Sequence, residues 1–513
     1  MNLKVGIIGY QPGWEIILNQ EGITFDRIMS KNPIKPENYA VLIVPSSINS
    51  DEEHIISNYL EGGGSVIFEA KSYAAIFKKK YKTKNVSYLV ASDKSHYTGI
   101  GLVDINSEMS YVHDKSLVFI DTNLHIVFKN VGKGMLIVFP FDINSLILNY
   151  ESIRKKFYFM RKELPSEIVT SVSKGKIRRL VTLTLSYMFN SRKLPFVHLW
   201  YYPDKVKNVF LFRVDTDFCN AKDAKSLWEI CRRYHVNGSW FVDTVSDEML
   251  SKVYKLMEKD QEIGLHCFRH IIFNNYRKDY ENINLGLSKL KENNIDTSGF
   301  VSPYGDWNPQ LGKIFEELNF KYSSEFCLDY DNFPFYPNFD NRFSKVLQIP
   351  VHPISPGRLR RSHFSESEMI QYYLYVIEQK KLLMEPIILY HHPSHQKFNV
   401  IEKLFMKIEE QNIWKTNFTG FADWWEKRNK IKLQQKLVGD KIISEKTEDN
   451  FFIRIVIDNN YAIVKFKKEI SLRGLDWEKV ERIRIPADIK NTRKKSWRDV
   501  LYDRENKQGK SKQ

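Results

Sequence analysis

Five short apolar runs, separated by more polar stretches, occupy the first 148 residues. One intervening stretch, Asp51 to Leu60, has the spacing of an amphipathic helix. Short runs bounded by turn residues are typical of buried strands, and their alternation with helices predicts a doubly wound parallel α/β domain over residues 1–148. The five runs are KVGIIGY, YAVLIVPSS, GGGSVIFEA, SLVFIDT and GMLIVFPFD.

Further apolar runs follow between residues 206 and 430, and three of them lead directly into carboxylate or imidazole groups. The runs are VFLFRV, EIGL and PIIL. Each reads as a buried strand with its polar pair at or just beyond the carboxyl end. The pairs are Asp215 with Asp217, His266 with His270, and His391 with His392.

Segments on either side of this region differ from it in charge. Residues 151–200 hold 11 Lys or Arg against 3 Glu, and residues 491–513 hold 8 against 3 acidic residues, so the two carry 13 of the 15 net positive charges. We interpret 149–205 as a basic linker and 491–513 as a basic disordered tail. Between 445 and 490, FFIRIVI, YAIVKF and ERIRIP alternate as strands of a small β module do.

One carboxylate and two imidazoles form a suitable ligand set for zinc or a similar divalent ion. A second carboxylate one residue away is then free to act as a base toward water. Taken singly, Asp-x-Asp is more often a turn or a helix cap, and His-x-x-x-His is more often surface or packing. Three strand ends with such groups in order favour a metal-dependent hydrolase.

The order of these motifs resembles the polysaccharide deacetylases of the NodB-homology family, over roughly Val206 to Arg428. The resemblance implies a distorted (β/α) barrel that hydrolyses N- or O-acetyl groups on sugars. It also implies one bound divalent ion, zinc being our expectation. Carried over by motif, the catalytic base is Asp215 and the metal ligands are Asp217, His266 and His270.

The third family motif, Arg-x-Pro-Tyr/Phe-Gly, is incomplete here, because FVSPYGDW places Val301 where the family has its arginine. In the family that arginine pairs with the catalytic aspartate. Arg213 precedes Asp215 by two residues on the same strand face, so it is a candidate to supply the missing charge. By resemblance, the backbone N–H of Tyr304 helps to bind the oxyanion of the transition state.

The last family motif, Leu-x-His, supplies a general acid and matches Leu389 to His391. His392, which precedes a proline, is a rival. Successive residues of a strand face opposite sides, so we expect only one of the two imidazoles to reach the pocket. His391 is the first choice.

The order of strands in residues 1–148 resembles class I glutamine amidotransferase-like domains. That chemistry requires a cysteine nucleophile, and all four cysteines of the chain lie beyond this unit. The resemblance therefore implies architecture only, and we expect a domain without catalytic function.

Aromatic residues are interleaved with the basic residues of the segment 149–205. They are Phe157, Tyr158, Phe159, Tyr187 and Phe189. Such a segment fits peripheral contact with an anionic membrane or, equally, a helix packed by its aromatic face. Nucleic acid is not expected as a partner, because no recognised binding motif accompanies the charge.

The amino terminus lacks a basic segment followed by an apolar signal core, and the cysteines are scattered. We therefore expect a cytoplasmic protein, with membrane contact, if any, at the inner face.

The leading hypothesis is a metal-dependent hydrolase that removes N-acetyl or O-acetyl groups from a sugar or polysaccharide precursor. A catalytically impaired glycan-binding scaffold is the first alternative, because of Val301. A hydrolase of C–N bonds in non-sugar amides is the second.

Overall fold

The computed structural model describes residues 1–29, 33–46, 48, 50–91, 97–112, 116–119, 124–217, 219–481 and 483–494. Its strands and helices are numbered here in chain order. In the first unit the strands are β1 Val5–Ile8, β2 Phe25–Ile28, β3 Val41–Val44, β4 Ser65–Glu69, β5 Tyr81–Val90, β6 Leu102–Val112, β7 Ser116–Phe119, β8 Leu124–Val131 and β9 Gly134–Phe139. The helices are α1 Pro12–Glu21, α2 Ser50–Glu61, α3 Ala70–Ile76 and α4 Ile143–Ile147.

A seven-stranded sheet with the order β2-β1-β3-β4-β9-β8-β7 forms the centre of this unit. The first five strands of that order are parallel, and β8 and β7 are antiparallel additions at one edge. Strands β1, β3 and β4 are buried throughout, as a parallel sheet covered on both faces requires. The predicted α/β class is confirmed. Part of the run SLVFIDT lies outside the described residues.

The segment predicted as a basic linker is folded, so that interpretation was wrong. It contains the hairpin of β10 (Ser152–Lys156) with β11 (Ser166–Thr170), then α5 (Lys174–Ser191) and β12 (Phe196–Leu199). Apolar residues recur in α5 at helical spacing and are buried, because they pack into the main core. These residues are Ile177, Leu180, Val181, Leu185 and Met188.

A curled sheet of eight parallel strands follows. Its strands are β13 Val209–Asp215, β14 Ser239–Val242, β15 Glu262–Leu265, β16 Gly299–Phe300, β17 Tyr322–Ser323, β20 Leu347–Gln348, β21 Ile387–His391 and β22 Trp414–Lys415, and a separate short hairpin is formed by β18 Asn338–Phe339 and β19 Arg342–Phe343. Helices cover it: α6 Ala221–Arg233, α7 Asp247–Met249, α8 Lys255–Met257, α9 Tyr276–Glu292, α10 Pro309–Glu317, α11 Pro356–Arg361, α12 Glu366–Leu383, α13 Phe398–Glu409 and α14 Phe418–Asn429.

The strand order in this sheet is β20-β17-β16-β15-β14-β13-β21, with β22 beside β13. Beyond the end of β20, the backbone N–H of His352 donates to the carbonyl of Ile388 in β21 at 2.9 Å, which draws the two edges together. The result is the distorted (β/α) barrel that the sequence predicted.

Two small sheets complete the described chain. One contains β23 Gln435–Val438, β24 Lys441–Ser444 and β27 Glu469–Ser471, and the other contains β25 Phe452–Ile457, β26 Asn460–Lys465 and β28 Glu478–Lys479. These strands cover the segment predicted as a small β module, and the first of them begins before residue 445. The second sheet also takes β12 from much earlier in the chain as an edge strand against β25.

The predicted tail, 491–513, is ordered where it begins. Thr492 is buried, and the guanidinium of Arg493 contacts both carboxylate oxygens of Asp104, at 2.6 and 2.8 Å. Residues 495–513 lie outside the described part of the chain.

A buried cluster around Arg178 of α5 joins the first unit to the barrel. The Arg178 guanidinium contacts Glu21 of α1, lies 2.6 Å from Glu385 and donates to Asn332 at 2.8 Å. Burial raises the pKa of Glu21, but the neighbouring Arg178 outweighs it, and the net pKa is lowered. The cluster is therefore ionised, and it holds three distant parts of the chain together.

Replacing this cation should destabilise the protein strongly. Arg178→Met leaves the buried Glu21 carboxylate without its cation and removes one of the two cations beside Glu385. Breaking a buried ion pair in this way typically costs about 3–5 kcal/mol. We expect a lower free energy of unfolding, measured from the urea midpoint by tryptophan fluorescence. Arg277→Met, which removes an exposed pair with Glu281, is the control and should leave the midpoint unchanged. Equal midpoints for the two variants would contradict a joining role for Arg178.

Candidate active site

The site begins on β13, whose residues are all buried. This strand lies between β14 and β21, and all three run parallel, so their carboxyl ends meet at one edge. Asp215 is the last residue of β13. Asp217 follows two residues later with a positive φ of 34°, a conformation that is uncommon outside glycine and is often found at functional sites.

His266 and His270 lie beside Asp217. The Nε2 atoms of the two imidazoles are 3.1 Å apart, and they lie 3.1 and 3.4 Å from Asp217 Oδ1. His266 Nδ1 lies 2.7 Å from the carbonyl oxygen of Val301. Because a carbonyl can only accept, Nδ1 carries the proton and donates it, which leaves the Nε2 lone pair facing Asp217.

These three donor atoms fit a divalent metal ion. They belong to a group within 4.8 Å of one another, the closest pairs being 3.1–3.4 Å apart. A tetrahedral zinc ion with bonds of about 2.0–2.1 Å has ligand atoms about 3.3 Å apart. The hydrogen bond from His266 Nδ1 to a carbonyl is also the contact that commonly orients a metal-binding imidazole. The residues present therefore match the predicted ligand set.

The pKa shifts of Asp217 and His266 are also consistent with a site that binds a cation. Burial raises the pKa of Asp217, but the charge of His392 and hydrogen bonds from three imidazoles hold the pKa well below its ordinary value. Burial lowers the pKa of His266, whereas its contact with Asp217 raises it, and the net pKa is above the ordinary value. Both shifts favour a positive charge beside Asp217, which is what a bound cation would supply.

Arg213 forms the expected contact with Asp215. Its Nε and Nη2 atoms donate to the two carboxylate oxygens at 2.7 and 2.6 Å, and Nη1 donates to the Ser324 carbonyl at 2.7 Å. Both side chains are buried. Burial lowers the pKa of Arg213, but Asp215 outweighs this effect and raises it, so the cation persists. A bidentate pair fixes the orientation of the carboxylate as well as its charge.

Val301, at the position of the family arginine, is fully buried. Its side chain belongs to the apolar cluster, while its carbonyl oxygen orients His266. The cation beside Asp215 therefore comes from β13 itself.

The two histidines that follow Leu389 face opposite sides, as predicted, but the choice between them was wrong. His392 lines the pocket, and its Nε2 lies 3.2 Å from Asp217 Oδ2. His391 is fully buried, is not among the residues that line the pocket, and packs near Phe398. Burial also holds the pKa of His391 well below its ordinary value, so the ring is neutral and unsuited to donate a proton.

Tyr304 stands at the rim of the pocket. Its side chain is 55% exposed, its ring centroid lies 5.0 Å from that of His270, and its φ is 59°. Trp307, three residues further along the chain, is buried against Tyr150 and Phe339. Among the aromatic residues that line the pocket, Tyr304 is exposed, whereas Phe326 and Tyr390 are buried.

The pocket has a volume of about 150 Å³, and four of its charged or imidazole groups were not predicted. Glu167 comes from β11, and its carboxylate pairs with Arg358 of α11. Burial lowers the pKa of His395 to about 4. Of these four residues, only His395 could have been suspected from the sequence, because it lies three residues after His392. The four groups are Glu167, Arg358, Arg361 and His395.

The aromatic residues of the former linker face protein. Phe159 and Phe189 are buried, and Phe157 packs on Tyr330 and His352. Among the described residues, no helix combines the length and the apolar character needed to cross a bilayer. Peripheral membrane contact stays a prediction.

Comparison with family models gave no match, and neither did comparison with curated protein sequences. Solved structures do align with part of the chain. A protein of Mycobacterium smegmatis, described as a polysaccharide deacetylase, is 14% identical, with a TM-score of 0.38, over 47% of this chain and 96% of its own. The peptidoglycan deacetylase PdaC of Bacillus subtilis is 11% identical, with a TM-score of 0.31, over 43% of this chain and 93% of its own.

A pseudoenzyme of carbohydrate esterase family 4 from Bacillus anthracis is 14% identical, with a TM-score of 0.31, over 53% of this chain and 91% of its own. TM-scores and identities this low carry no conclusion on the activity of this chain. The chemistry of the site rests on its own geometry.

Proposed function

We propose that the protein is a metal-dependent hydrolase that removes N-acetyl or O-acetyl groups from a sugar or polysaccharide precursor. The observation that carries the proposal is the pairing of two carboxylates with different partners. Asp217 lies among imidazoles as a metal ligand would, and Asp215 is held by Arg213 as a positioned base would be.

When bound at Asp217, His266 and His270, a divalent ion such as zinc supplies a Lewis acid that polarises the acetyl carbonyl and makes water more acidic. Asp215 accepts the proton of the attacking water. Arg213 keeps that carboxylate ionised and oriented, and Asp215 is one of the residues that line the pocket. The backbone N–H of Tyr304 donates to the developing oxyanion, a type of contact worth about 3 kcal/mol in other enzymes.

His392 completes the reaction by protonating the leaving amine as the C–N bond breaks, which releases acetate. It is the imidazole of the pair that lines the pocket, on the same side of the strand end as Tyr390. An ester leaving group needs this acid less than an amine does. A sugar substrate is supported by the exposed ring of Tyr304, which offers a flat apolar surface at the rim.

We further propose that residues 1–148 form an amidotransferase-like domain without catalytic function. Its parallel sheet supports that architecture, and the four cysteines, all of them buried, lie outside it. Burial raises the pKa of Cys267 well above its ordinary value, so this thiol beside the site is inert.

The decisive experiment combines metal content with acetate release. We expect about one zinc per chain by plasma emission spectroscopy, and metal-dependent acetate release from a panel of N-acetylated sugar nucleotides and oligosaccharides. The double variant His266→Ala with His270→Ala should lose both. His235→Ala, at an exposed imidazole, is the control and should keep both.

Metal without acetate from any sugar, but with release from simple N-acetyl amides, would favour the non-sugar hydrolase. Metal with no release at all would favour the scaffold. Metal retained by the double variant would show that the ligand set is wrong.

Arg213 should matter for turnover and not for metal binding. Arg213→Met removes the group that orients the base, and positioned proton transfer contributes about 10²–10⁴-fold. We expect kcat to fall by about 10²-fold or more while zinc content is unchanged. Arg213→Lys keeps the charge but not the bidentate geometry, so its kcat should lie between that of the wild type and that of Arg213→Met. Wild-type turnover in Arg213→Met, with circular dichroism unchanged, would remove Arg213 from the mechanism.

The neighbouring imidazoles provide a matched pair of variants. His392→Leu should lower kcat on N-acetyl substrates by about 10²-fold or more, because the leaving amine loses its proton donor. His391→Leu changes a buried ring outside the pocket and should leave kcat within about threefold. Steady-state kinetics with both variants tests this, and a loss confined to His391→Leu would reverse the assignment.

A further inference from the structure

A second cavity, of about 230 Å³, lies apart from the pocket at Asp215. The two have no lining residue in common. Its walls come from several parts of the chain: the start of β6 with the turn before it, residues 156–158, the start of α5, residues 330–331, His352, α12 with Glu385, and residues 483–493. Such junctions between units are places where small-molecule sites occur frequently.

Most of the cavity wall is apolar. Aliphatic side chains contribute from the region of β6, from α12 and from residues 483–489, and aromatic rings add to them. A wall of this kind favours binding of a hydrocarbon chain or another apolar group, because binding removes apolar surface from water. The aliphatic residues are Ile100, Leu102, Val376, Leu383, Ile483, Ile485 and Ile489.

Several charged groups also reach the cavity, and most of them are neutralised. Lys380 lies 3.0 Å from Glu385 and 3.2 Å from Asp331. Arg493 is paired with Asp104. These groups therefore add little net charge toward a ligand.

Lys176 differs from them. Its side chain lines the cavity, and no carboxylate of the described residues lies within 4.0 Å of its ammonium group. Burial and the nearby Arg179 lower the pKa of Lys176 to about 8, and the more distant Glu385 and Asp331 offset this only in part. An anion placed beside it would supply the missing partner.

The start of α5 adds to the same electrostatic preference. Ser173 and Gly175 line the cavity next to Lys176, so the positive end of an 18-residue helix faces it. The Ser173 hydroxyl does not cap this helix and donates instead to Asp104 at 2.7 Å.

We propose that this cavity binds an amphipathic anion, a carboxylate or phosphate monoester with an apolar body, whose charged end pairs with Lys176. The site is independent of the deacetylase reaction proposed above. Its ligand is either a free fatty acid-like molecule or a phosphorylated lipid, and both share this chemistry.

The test is titration calorimetry on the full chain with decanoate, decyl phosphate, 1-decanol and inorganic phosphate, each below its aggregation concentration. We expect one site per chain that prefers the two amphipathic anions over the other probes. Lys176→Met should weaken anion binding by about 10-fold or more and leave 1-decanol unchanged, because a charge-assisted hydrogen bond is lost. Lys222→Met, at an exposed lysine of α6, is the control and should bind as wild type.

Val376→Phe fills the apolar part and should abolish binding of decanoate and decyl phosphate. Leu383→Phe repeats this test should the first variant fail to fold. The stronger of the two anions identifies the source as a carboxylate or a phosphate. Equal binding by wild type and Lys176→Met would overturn the proposal, as would inorganic phosphate binding as tightly as decyl phosphate.

Discussion

The parallel pairing of β13 with β14 on one side and β21 on the other is the constraint on which the site depends. Its register places Asp215 beside Phe241 and places Val214 beside His391. Because side chains alternate along each strand, this register decides which groups enter the pocket and which enter the core. Arg213, Asp215 and Tyr390 lie on one side of the sheet, and His391 lies on the other.

Much of the site could be predicted from the sequence, because its parts are local. Asp215, Asp217, His266 and His270 sit at strand ends that apolar runs mark clearly, and parallel strands bring such ends together. The parity of β21 was equally readable, yet family resemblance favoured the wrong member of the pair. His391, the last residue of the strand, pairs with Val214 on the core side, whereas His392 follows the strand and lines the pocket.

Other parts were not predictable, since they depend on contacts distant in sequence. Glu167 enters the pocket from a hairpin that precedes the barrel, and no pattern near it indicates that destination. The charge of residues 151–200 was also misleading, because it looked like the charge of a solvated linker. Lys155 and Arg178 are instead buried ion-pair partners that support the fold. The net charge of a segment can indicate its binding partners only when its charged side chains are exposed at the surface.

The edge strand β12 has a consequence for how the chain must be assembled. Leu199 pairs with Ile453, about 250 residues later, and the whole barrel lies between them. During synthesis, the nascent chain displays β12 as an unpaired edge until the ribosome has produced β25. Such an edge is a template for wrong strand pairing. Contacts between residues so distant in sequence form slowly, so we expect the sheet that joins β12 to β25 to be among the last parts of the chain to fold.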